Sequence, residues 1–176
     1  MKEAPLIGSD RPGWHEYFME IAKTVSLRSN CLRRQIGAVL VFDKKIISAG
    51  YNGTPRGTKN CFDGGCPRCA AATEATSGQS LGVCLCSHAE ENAITQSAYH
   101  GAVVKNSTLY TMLTPCLICA KMIIGAGVTQ VIYLDAYPSD RADGNVASEV
   151  LLGSAGIPIC SLGEAMRREA SHRNIL

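Results

Sequence analysis

The chain has 176 residues, the length of one ordinary domain, and 46% of them are hydrophobic, enough for a packed core and too many for a disordered chain. Seventeen basic and 15 acidic residues leave a formal charge of +2. That excludes a strong electrostatic footprint for nucleic acid but allows a small anionic ligand held by a few basic groups. The opening residues lack a basic segment followed by an apolar stretch, and no apolar run approaches the ~20 residues of a membrane helix. The expectation is no signal peptide, no membrane association and a cytoplasmic location.

Pro12 suits the first turn of a helix, and Trp14, Phe18, Ile21, Ala22 and Val25 recur at helical spacing, which predicts a helix over 14–28. Two apolar, β-branched runs at 36–42 and 46–51, separated by Asp43-Lys44-Lys45, predict a strand hairpin. The stretch 52–87 reads as a long irregular segment, with a short helix conceivable in 70–80. Segments of this kind inside compact domains are uncommon unless functional or clamped by metal. Helices are predicted at 88–99, 115–126, 146–155 and 164–170, and strands at 107–113, 128–134 and 157–161. Strands alternating with helices imply a layered α/β domain.

Nine cysteines need a reason in a reducing compartment, where disulfides are disfavoured and grouped cysteines more often bind metal or do chemistry. Eight fall between Cys31 and Cys119; Cys160 stands apart and reads as a small buried apolar residue.

Two short motifs carry the chemistry. His88-Ala89-Glu90 opens one predicted helix, and Pro115-Cys116-Leu117-Ile118-Cys119 opens the next, with one strand between. Successive strand–helix units can bring both helix N-termini to one edge of a sheet. One imidazole nitrogen and two thiolates would then leave a catalytic zinc its open fourth position. Helix N-termini favour thiolates through their free N–H groups and dipole. Glu90, two residues past the histidine, could reach a water at the metal without ligating it. Taken alone, each fragment also fits a solvated helix start, a redox pair or a structural zinc site.

Together they form an H-x-E…P-C-x-x-C signature, and the chain resembles the deoxycytidylate deaminases within the wider cytidine deaminase superfamily. The resemblance runs over about residues 17–157. It rests on Arg28 to Ala38 (RSNCLRRQIGA), Gly50 to Pro55 (GYNGTP), His88 to Ile94 (HAEENAI) and Pro115 to Lys121 (PCLICAK). It implies a single domain over 1–176 with a three-layer α/β/α fold around a central five-stranded mixed sheet, and commonly a homohexamer. It implies zinc-dependent hydrolytic deamination of dCMP to dUMP, feeding thymidylate synthesis, with His88, Cys116 and Cys119 on the catalytic zinc and Glu90 as the proton shuttle. It also implies activation by dCTP with Mg2+ and inhibition by dTTP.

The resemblance further places Asn52 in contact with the nucleotide, and Ala89 joins the substrate set. Arg33, Arg34 and Arg56 are candidates for the phosphate, Arg34 and Arg56 foremost by their place beside the matched motifs. Tyr137, just after a strand end, is a candidate to stack on the base. Relatives with this pattern carry a second, structural zinc, and Cys31, Cys61 and Cys86 match ligand positions in them. The remaining ligand lies among Cys66, Cys69 and Cys84, and six cysteines could instead hold two ions. Other readings stay open: a tRNA adenosine deaminase, a deaminase of free cytosine, cytidine or guanine, and a non-enzymatic zinc module. The last leaves Glu90 without a task.

Overall fold

The computed structural model describes residues 11–71, 83–137 and 143–173. Helix α1 (Trp14–Ser26) buries Phe18, Met19 and Ala22 on one side. It stops two residues short of expectation because Leu27 closes the last turn, its N–H donating to the Thr24 carbonyl. Strands β1 (Gly37–Phe42) and β2 (Lys45–Tyr51) pair antiparallel, from Gly37↔Tyr51 to Phe42↔Lys45. Asp43 and Lys44 both take positive φ, 48° and 59°, as a tight hairpin of matching twist requires.

The chain then crosses the irregular stretch, which holds a 3₁₀ turn (Cys61–Asp63) and the short helix α2 (Pro67–Ala71). Most of the short helix considered for 70–80 falls outside the described residues. Next come α3 (Ala89–Tyr99), β3 (Thr108–Leu113), α4 (Leu117–Gly125), β4 (Gln130–Asp135), α5 (Asp143–Ser154), β5 (Ile159–Ser161) and α6 (Leu162–Arg173). His88 and Cys116 sit just before their helices as caps, rather than inside them. Strand β4 starts two residues later than expected because Val128 and Thr129 finish the preceding turn, donating to the carbonyls of Ile123 and Ser107.

The five strands run in the order β2-β1-β3-β4-β5. β1 is antiparallel to β2 and β3, whereas β3, β4 and β5 are parallel, so the sheet is mixed. Strand alternation splits the core in two. Ala38, Leu40, Leu109 and Val131 face α3, α4 and α5 through Ala89, Ala93, Ala120, Ile123 and Leu152. Val39, Val41, Tyr110 and Ile132 face α1 and α6 through Phe18, Met19, Ala22 and Ala165. Cys160 is buried in this second layer, as expected of a small apolar residue. The result is the expected α/β/α sandwich.

One close approach fixes the position of α3. A Cβ on Gly50 would run into the backbone of Ala89 and Ala93, so only glycine lets β2 lie this near the helix. Among the described residues, no helix is long and apolar enough to cross a membrane.

Candidate active site

The N-termini of α3 and α4 meet at one edge of the sheet. The Glu91 carboxylate reaches back to accept the backbone N–H of His88 at 3.1 Å, which holds the residue ahead of α3. The loop from β3 to α4 is pinned at Thr114, whose N–H donates to the Asp135 carbonyl, and at Pro115, whose carbonyl accepts from the buried Ser148 hydroxyl at 2.7 Å. These constraints bring Cys116 Sγ to 3.3 Å and Cys119 Sγ to 3.4 Å from His88 Nδ1. All three ligand atoms lie within 4.8 Å of one another, a triangle that one tetrahedral ion can cap while keeping a position open.

Protons are shared unevenly in this triangle. The Cys116 thiol is lowered to about 4, first by a hydrogen bond from Cys119 and further by His88. His88 is raised to about 9, chiefly by its hydrogen bond to Cys116. Cys119 is pushed well up by Cys116 and by burial. Cys116 is therefore the member of the triangle most readily ionised, and a bound cation would favour loss of the remaining ligand protons.

Glu90 lies beside the triangle, 5% exposed, with one carboxylate oxygen 3.6 Å from Cys119 Sγ. Burial raises its pKa, against the opposing charge of His88. Its other oxygen accepts the Thr111 hydroxyl at 2.8 Å. Sequence reading missed Thr111. The signal was a hydroxyl at a core-facing strand position, which needs a buried partner.

The pocket at this edge is lined by His88, Ala89, Glu90, Cys116, Asn52, Arg33, Arg34 and Tyr137. The Asn52 amide braces the pocket wall: Oδ1 accepts the Ile36 N–H at 2.8 Å, and Nδ2 donates to the Arg34 carbonyl at 2.8 Å. Ser29 Oγ lies 2.8 Å from the same Oδ1. Nδ2 keeps a second N–H for a ligand. Arg34 lies over the Tyr137 ring, 5.0 Å from its centroid, which occupies one ring face. The Arg33 Nε is buried without a hydrogen-bond partner. Arg68, also in the wall, escaped sequence reading.

Arg56 is not brought to this pocket. It lines a separate surface cavity beside the Gly50–Pro55 loop, with its guanidinium over Tyr99 at 5.4 Å. Arg33 and Arg34 thus line one pocket, and Arg56 lines another.

Fold and site together define a metal-binding α/β domain whose ligand triangle carries a buried carboxylate. The family model describing the cytidine and deoxycytidylate deaminase zinc-binding region matches residues 12–135. Deoxycytidylate deaminase of Schizosaccharomyces pombe is 42% identical over 161 residues, covering 90% of this chain and 48% of its own length. That of Saccharomyces cerevisiae is 42% identical over 156 residues, covering 89% and 46%. The crystal structure of dCMP deaminase from the cyanophage S-TIM5 in complex with dCMP and dUMP superposes with a TM-score of 0.66 at 30% identity, over 86% of this chain and 98% of that one. The chain belongs to the cytidine and deoxycytidylate deaminase family. It spans about half the length of the two fungal relatives.

Proposed function

We propose that this chain hydrolyses dCMP to dUMP and ammonia, with zinc held by His88, Cys116 and Cys119. The observation that carries the reading is the buried Glu90 carboxyl beside the ligand triangle. A non-enzymatic zinc module has no use for a buried carboxylate there, and the cost of burying one demands a reason.

Bound zinc would supply Lewis acidity that lowers the pKa of water toward ~7. Glu90 accepts one proton of the attacking water and passes it to N3 of the pyrimidine. It then takes the remaining proton of the hydroxyl now on C4 and delivers it to the amino nitrogen, so that the C4–N bond breaks, ammonia leaves and the C4 carbonyl forms. Its raised pKa suits a group that must gain and lose a proton within one cycle. Asn52 offers its remaining amide N–H, and Ala89 stands at the first turn of α3 beside the base. Arg33 and Arg34 form the phosphate clamp, Arg33 with its unpartnered Nε. Tyr137, under Arg34, holds that clamp and closes the pocket. Cys31, Cys61 and Cys86, with partners from Cys66, Cys69 and Cys84, bind structural metal.

The substrate follows from the relatives, which are named as deoxycytidylate deaminases, and from the S-TIM5 enzyme that binds dCMP and dUMP. Ammonia release from dCMP, dCTP, cytidine and an adenosine-bearing tRNA, measured side by side, tests it. Turnover of dCMP well above the others is expected; faster deamination of cytidine or tRNA would replace the reading.

The same proposal includes a single domain over 1–176, a homohexamer and a cytoplasmic setting, the last in keeping with nine unpaired thiols. It also includes activation by dCTP with Mg2+ and inhibition by dTTP. Arg56 and the Gly50–Pro55 loop line a second cavity, and Gly53 pairs with Ser87, next to His88. A triphosphate there could bias the position of His88 through that pairing. Initial rates against dCMP, with and without each effector, decide this part; identical hyperbolic curves would remove it and leave the deaminase reading intact.

A further inference from the structure

The irregular stretch folds around sulfur. Cys61, Cys66, Cys69 and Cys86 are buried together, Cys31 and Cys84 pack against them, and among the described residues no aliphatic or aromatic side chain joins the cluster. The described residues of this segment have little regular structure and no aliphatic core of their own, so they need another source of stability.

The six sulfurs divide into two sets of four. Cys31, Cys61, Cys69 and Cys86 form one, and Cys66, Cys69, Cys84 and Cys86 the other, with all four sulfurs of each set within 4.8 Å of one another. Cys69 and Cys86 belong to both. Cys84 Sγ lies 3.8 Å from Cys66 Sγ and 3.6 Å from Cys69 Sγ. Zinc–sulfur bonds of ~2.3 Å in a tetrahedron give sulfur–sulfur edges of about 3.8 Å. A disulfide would need ~2 Å.

The geometry points to a binuclear zinc–thiolate cluster in which Cys69 and Cys86 bridge two tetrahedral ions. This deepens the structural-metal part of the function proposed above and does not rest on the deamination chemistry. Four-coordination at one ion would leave Cys66 and Cys84 beside it without a role; two ions with shared bridges use all six. Each thiol gives up its proton on loading. Backbone donors already face the sulfurs: Leu32 N–H to Cys61 and Arg33 N–H to Cys31, both at 3.5 Å, and the N–H groups of Cys69 and Leu85 to Cys66. Six thiolates and two divalent ions leave the cluster dianionic. The Arg68 guanidinium, hydrogen-bonded to the sulfurs of Cys69 and Cys84, offsets part of that charge.

The cluster also stands where it can set the active site. Cys86 precedes His88 by two residues, and Cys31, Cys69, Cys84 and Cys86 line the same pocket as Glu90. Bridging ions would tie α2, the Cys31 loop and the lead into α3 into one rigid wall.

Cadmium-113 NMR of the full chain loaded with that metal tests the inference. Three resonances are expected, one for each candidate ligand group, with the two all-sulfur signals split by mutual coupling through the shared thiolates. A single unsplit all-sulfur signal would overturn the bridged cluster and leave one structural ion. No all-sulfur signal would end both ideas, while activity supported by the His88 site would stand apart. Native mass spectrometry of the zinc form gives a second readout. Cys84→Ser is expected to lose one ion and Cys69→Ser two; unchanged zinc in Cys84→Ser would also overturn the inference. Should either variant fail to fold, the cadmium spectrum of the unaltered chain decides.

Discussion

The Thr111 hydroxyl donates a 2.8 Å hydrogen bond to one carboxylate oxygen of Glu90, and Thr111 is fully buried. The bond links the middle of β3 to the first turn of α3, so the sheet aims the Glu90 carboxyl. It also favours the ionised carboxyl against the burial that raises its pKa. Thr111→Val keeps the shape and removes the donor. An unmet buried acceptor costs about 1–3 kcal/mol. Expressed in the transition state, that is a loss of roughly ten- to hundredfold in kcat with little change in KM. The pH profile of kcat should shift upward at its acidic limb; an unchanged profile and rate would show that Thr111 only packs.

Glu90→Gln is expected to retain the fold and the metal and to lose turnover. The amide fills the same space and still accepts from Thr111, but it cannot carry a proton. A general acid–base group is worth ~10²–10⁴-fold, and this one acts at more than one step. Metal content by elemental analysis and single-turnover rates check it together. Near-normal turnover would take Glu90 out of the mechanism.

Asn52 ties three segments together before it touches any ligand. Asn52→Ala leaves the Ile36 N–H and the Arg34 carbonyl without their partner, and the expected cost is about 1–3 kcal/mol of stability. KM for dCMP should rise as well, since the remaining Nδ2 proton is lost. Asn52→Asp separates the two roles. It still accepts from Ile36 but sets a carboxylate oxygen against the Arg34 carbonyl. A melting temperature unchanged in both variants would refute the bracing role.

The chemistry was legible where its partners are local. His88 and Glu90 share one turn, Cys116 and Cys119 share another, and one strand joins them, so spacing allowed the triangle and the combined H-x-E…P-C-x-x-C signature selected it. Cys69 and Cys84 belong together across a stretch with no periodic pattern, and nothing in their spacing says so. The position of Arg56 was not legible for a different reason. Pro55 and Thr58 close a turn, with the Thr58 N–H donating to the Pro55 carbonyl. That turn carries Arg56 away from Asn52 and onto Tyr99. Residues adjacent in sequence therefore serve different cavities. Helix and strand order followed from apolar spacing, whereas ends moved by two residues where a cap or turn bond decided them.

The start of α6 supplies a pH test independent of the metal sites. Ser161 and Glu164 form a reciprocal cap: the Glu164 carboxylate accepts the Ser161 N–H at 2.9 Å, and Ser161 Oγ accepts the Glu164 N–H at 3.3 Å. The Ser161 N–H, and then its hydroxyl, hold the Glu164 carboxyl below its ordinary value of 4.5. Because the folded pKa is depressed, the unfolded chain binds the proton more readily. The stabilisation is present in full above about 4.5, and it is lost as pH falls from there through the depressed folded value. Glu164→Gln removes the charge and keeps the shape, so its melting temperature should lie below that of the unaltered chain at neutral pH. The gap should close as pH falls below about 4.5. Added salt should narrow it at neutral pH, since Glu164 is exposed and screened. A gap that stays constant across the acidic range would mean that the carboxylate charge adds nothing to this cap.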